Sequence, residues 1–205
     1  SSRENFCRDT TLRNDSWCLD LICGRQVTSV MPDGSEKYKV FPVSLQEAIE
    51  SFTSKGGNLI VSGAYIGTDI WGKLYQIKAD RNEFNKSSAF ARNVLGYKHG
   101  GGYASSAGSL QMMSGGALKW IPGERNISFH NTPNRTFYCV ENPDAILPAS
   151  RSGQVIARYS DSGAPAGIVH QGNGYRTVCY GFPLETLKES EDLKAILEAS
   201  LRYLD

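Results

Sequence analysis

LQEAIESFTSKGGNLIVSGAYIGTDIW, running from Leu45 to Trp71, decides the expected fold. Its first half has a helical period. Leu45, Ala48, Ile49 and Phe52 recur at i, i+3, i+4 and i+7, which draws one apolar stripe along a helix. Ser44 and Glu47 stand at the spacing of a capping box, in which each side chain meets an orphan backbone N–H. Gly56-Gly57 supplies the left-handed stop. The run that follows, Asn58 to Gly63 (NLIVSG), is apolar through Leu59-Ile60-Val61 and reads as a strand buried on both faces.

Working outward from this block, Trp17 to Cys23 (WCLDLIC) is a second buried strand on the N-terminal side. Strand, helix, glycine stop and strand spell a βαβ unit and hence a parallel pairing. Residues 25–43, with Pro32-Asp33-Gly34 and Pro42, read as loop, and a second helix is predicted over Lys86–Leu95, ended by Gly96. From Tyr97 to Gly116 glycine and serine crowd the chain, and short strands with loops are expected. Val155–Tyr159, Ala166–His170 and Thr177–Tyr180 are strand candidates separated by Asp161-Ser162-Gly163 and Gly172-Asn173-Gly174, both hairpin signals. A last amphipathic helix covers about Ser190–Leu204. The expected architecture is α/β: a three-layer, flavodoxin-like, mostly parallel sheet with an antiparallel C-terminal extension. It forms one domain over residues 17–205, preceded by a polar arm over residues 1–16.

Composition narrows the function. A chain of 205 residues with 40% hydrophobic content can bury a full core without disulfides or metals. Twenty-two Lys and Arg against 21 Asp and Glu leave a charge of +1, which argues against a general electrostatic grip on nucleic acid. No apolar run reaches the length of a membrane-spanning helix. The five cysteines, Cys7, Cys18, Cys23, Cys139 and Cys179, are odd in number and contain no Cys-x-x-Cys. Buried free thiols are therefore expected for the four that lie in apolar runs, Cys18, Cys23, Cys139 and Cys179.

Several chemistries lack their residues. A nucleophile elbow needs a serine or cysteine between glycines, but Gly63-Ala64-Tyr65-Ile66-Gly67 carries a tyrosine there. The three histidines, His99, His130 and His170, make no metal-binding spacing. Gly100-Gly101-Gly102 lacks the Lys-Ser/Thr of a phosphate loop. No catalytic, metal or cofactor residue is assigned. In open α/β sheets ligands bind at the carboxyl ends of the strands. Gln26, Tyr65, Asp69, Trp71 and Glu185 are expected to gather there as ligand-binding residues. Tyr65 and Trp71 offer rings for stacking on a sugar, and Asp69 with Glu185 offers the acid pair that glycoside hydrolysis requires.

Three stretches carry a family resemblance: DLICGRQVT (Asp20–Thr28), the Leu45–Trp71 block, and YRTVCYGFPLETL (Tyr175–Leu187) before the terminal helix, with PDAILP (Pro143–Pro148) between the last two. Together they resemble a flavodoxin-like module related in fold to class I glutamine amidotransferases. That module occurs in large secreted Bacteroidetes-type proteins, some labelled xanthan lyase-like or carrying golvesin-type domains. The resemblance implies an extracytoplasmic setting and a larger parent chain. It does not imply glutaminase chemistry, because no cysteine occupies the elbow and His170 is followed by Gln171-Gly172 rather than by the one-residue spacing to glutamate. The expected function is a non-catalytic accessory module that contacts polysaccharide or other domains of its parent chain. The alternative is a glycan- or amide-directed hydrolase or lyase using Asp69 and Glu185.

Overall fold

A computed structural model describes residues 16–72, 81–113, 116–118 and 126–205. The arm expected over residues 1–16 lies outside the described residues except for Ser16, as does Cys7. Strand β1 (Cys18–Gly24) and strand β4 (Asn58–Gly63) flank helix α1 (Val43–Thr53) and pair in parallel, with Leu19 beside Leu59 and Leu21 beside Val61. The βαβ unit is therefore present. Between β1 and α1 lies a small hairpin of β2 (Ser29–Val30) and β3 (Glu36–Lys37). The helix starts one residue before Ser44, on Pro42 as N-cap, and no side chain caps it. Pro42 has an extended backbone that leads into the first turn, and its carbonyl accepts the N–H groups of Leu45 and Gln46. The capping box legible at Ser44 and Glu47 is thus not formed.

Helix α2 (Thr68–Trp71) follows β4 at once, and helix α3 (Arg81–Phe90) runs into a π-helical turn at Ala91–Leu95 that Gly96 closes. Then come β5 (Tyr97–Gly101), β6 (Ser109–Met112), β7 (Asn126–Ser128) and β8 (Ala145–Pro148). Strands β9 (Gln154–Tyr159), β10 (Pro165–Gln171) and β11 (Arg176–Tyr180) are joined by the two expected hairpins, and helix α4 (Ser190–Leu204) ends the chain's described part.

The main sheet has seven strands in the order β1-β4-β11-β10-β9-β6-β7. Only β1 with β4 and β4 with β11 pair in parallel; the other four pairings are antiparallel. The expected flavodoxin-like, mostly parallel three-layer fold is therefore overturned: the chain forms a mixed, mostly antiparallel sheet curled into a half-barrel. The physical reason is chain length between strands. A parallel return needs a crossover of about a dozen residues, whereas residues 160–164 and 172–175 are too few and force antiparallel neighbours. These hairpin strands are not an extension at the sheet's edge, because β11 docks beside β4 and carries β10 and β9 into the middle. Register shifts around Gly167, between β9 and β10, add twist to the curl.

Two hydrophobic clusters cover opposite faces of the sheet. Ile60, Val178 and Tyr180 face Ile196, Ala199 and Leu204 of α4. Leu59, Val61 and Cys179 face Leu45, Ile49 and Phe52 of α1 and Phe90 of α3. Alternate residues of β4 thus serve opposite cores, which explains why Leu59, Ile60 and Val61 are apolar without alternation.

Candidate functional site

The segment leaving β4, Gly63–Trp71, is held from three sides. Asp144, fully buried just before β8, accepts hydrogen bonds at Oδ2 from the N–H groups of Gly67 and Thr68, both at 2.7 Å. Its Oδ1 accepts the Thr68 hydroxyl at 2.6 Å and lies 3.5 Å from His99 Nε2. The Tyr97 hydroxyl donates to the Ile66 carbonyl at 2.7 Å. Asp69, 5% exposed, accepts the Thr28 N–H at 2.5 Å and the Val40 N–H at 2.8 Å on separate oxygens. Burial pushes the Asp69 carboxyl above the usual range, and the Thr28 and Val40 donors pull against that shift.

Gly181, at the end of β11, shows how tightly this corner packs. A Cβ there would stand 2.1 Å from the Asp144 carbonyl oxygen, so only glycine lets the two backbones meet. That carbonyl also accepts the Tyr159 hydroxyl at 2.9 Å.

The five residues expected at the carboxyl edge serve different elements. Gln26 donates its side-chain amide to the Lys39 carbonyl at 2.8 Å and, with Asp69, pins the loop that carries β2 and β3. Trp71 is half-buried, stacks with His99 at 6.4 Å and lies under the Arg92 guanidinium at 5.8 Å. Tyr65 is half-buried against the α4-side core. Glu185, in the 3-10 turn Leu184–Thr186, accepts the Tyr138 hydroxyl at 2.5 Å beside Gly24. Its Oε2 is enclosed without a partner. Desolvation, then the Glu185 charge, raise the Asp20 carboxyl, so Asp20 and not Asp69 is the carboxylate that senses Glu185. Burial and the bond to Glu185 hold the Tyr138 phenol well above its usual range.

Asp144, His99 and Tyr138 escaped the sequence reading. No spacing in the chain marks them: Asp144 looks like a loop aspartate before AILP, and His99 lies 45 residues away from it. The pairing of β5 with β8 brings His99 to Asp144, whereas Tyr138 acts at a different place, on Glu185 in the turn after β11.

Chemically, this arrangement uses its two buried carboxylates to hold backbone N–H groups of neighbouring loops. The Thr68 proton is given to Asp144, and the thiols of Cys23 and Cys179 are buried, the latter raised by desolvation. Cys18, Cys139 and Cys179 are free thiols. Among the described residues no group of three or more His, Cys, Asp or Glu has the geometry to hold a metal ion. No helix among them is long and apolar enough to cross a membrane.

No family model and no curated protein matches the chain. Solved structures do resemble it. A cytoplasmic protein of Salmonella typhimurium superimposes with a TM-score of 0.52 at 10% identity, over 99% of this chain and 74% of that one. The cold-adapted β-galactosidase of Rahnella sp. R3 gives 0.48 at 15% identity, over 91% of this chain. The exo-β-1,4-mannosidase of Opitutaceae bacterium strain TAV5 gives 0.41 at 11% identity, over 78%. This chain spans 21% and 22% of the lengths of those two glycosidases. At these identities the likeness to the Salmonella protein is one of fold alone.

Proposed function

We propose that the chain is a non-catalytic binding module of a larger extracytoplasmic protein, with polysaccharide or a neighbouring domain as its partner. One observation carries the reading. The two carboxylates that a hydrolase would use are already engaged in structure, Asp69 by two backbone N–H groups and Glu185 by Tyr138. Asp69 is 5% exposed with a backbone N–H on each oxygen, and the Glu185 oxygen that Tyr138 leaves unbonded is enclosed, so neither carboxyl is presented to a substrate arriving from solvent. The parent chain and its extracytoplasmic setting rest on the three-segment sequence resemblance, whose implied fold is not the one found.

The test is a thermal-shift screen against polysaccharides and peptidoglycan fragments, followed by a reducing-end assay on whichever responds. A ligand at 100 times its Kd adds about 2.7 kcal/mol to the folded state. A shift without new reducing ends is expected. Turnover that disappears in Asp69→Asn or Glu185→Gln would overturn the reading in favour of a hydrolase.

A further inference from the structure

We draw no further inference here: the strongest candidate, the side-chain cluster at the turn between β8 and β9 in which the hydroxyls of Ser152 and Ser150 lie 3.2 and 3.5 Å from Nδ1 of the buried His170, carries no chemistry, because Nε2 of that ring is enclosed without a partner and so no third group orients the imidazole as a base toward either serine.

Discussion

The sheet has two halves built on different principles. In the parallel half, β1, β4 and β11 are joined through α1 and a long excursion of the chain, and both faces of β4 are buried. In the antiparallel half, a short hairpin joins β9 to β10, a second leads from β10 back to β11, and β6 pairs antiparallel with both β9 and β7. The halves also differ in where they keep polar groups. The parallel half ends in buried carboxylates that hold loops, Asp69 and Asp144, while the antiparallel half buries a histidine. His170 on β10 is 6% exposed, lies 3.2 Å by Nδ1 from the Ser152 hydroxyl, and has an enclosed Nε2 without a partner. A parallel edge concentrates loops at one end, and those loops need anchors. The antiparallel half keeps its carboxylate anchor at the surface instead, where Asp161 in the β9–β10 turn accepts the N–H groups of Ser106 and Ala107 at 2.8 and 3.0 Å.

The largest way to sharpen this contrast is Asp144→Ala. It strips the acceptor from the Gly67 N–H, the Thr68 N–H and the Thr68 hydroxyl at once. Removing one partner of a buried charged network costs about 3–5 kcal/mol, read as a lower urea midpoint. A loss below about 1 kcal/mol would show that the anchor is dispensable.

A smaller, pH-dependent effect belongs to the antiparallel half. Burial lowers the His170 pKa, so the folded chain holds the neutral ring while the unfolded chain protonates near the ordinary value of about 6.5. In that window the unfolded state binds more protons, so stability is fully present above about pH 6.5 and is lost as pH falls toward the folded pKa. The slope contributed by this one group is at most about 1.4 kcal/mol per pH unit. His170→Gln should flatten the melting-temperature profile below about pH 6.5. Identical profiles for the two proteins would refute the assignment.

The smallest effect is expected where α1 and α3 meet at the surface. Lys86 and Glu47 pair at 3.1 Å with side chains 48% and 60% exposed. Lys86→Ala should change stability by less than about 0.5 kcal/mol, and added salt should erase even that. A drop comparable to that of Asp144→Ala would mean that surface pairing, not the buried carboxylates, secures this half.

Much of the local structure was legible because it is written in short-range chemistry. The stripe Leu45, Ala48, Ile49, Phe52 produces α1, the run NLIVSG produces β4, and Gly172-Asn173-Gly174 produces a hairpin. The capping box was misread because proline at position 42 sets the helix entry before Ser44 can cap it. Of the candidate ligand residues, Trp71 was found with its surroundings unknown, since the partner ring of His99 arrives on β5. Asp69 looked like an acid and proves to be an anchor, a distinction that depends on where Thr28 and Val40 come to lie.

The amino-acid sequence by itself determined the βαβ unit, the two hairpins of the C-terminal third, helices α1 and α4 and the near-neutral charge, because periodicity, glycine punctuation and composition act over a few residues. Strand order, the mostly antiparallel curled sheet and the burial of Asp144 were decided only by tertiary structure. Each depends on segments dozens of residues apart meeting in one place, and the free energy that selects such meetings lies in packing and desolvation that no local pattern records.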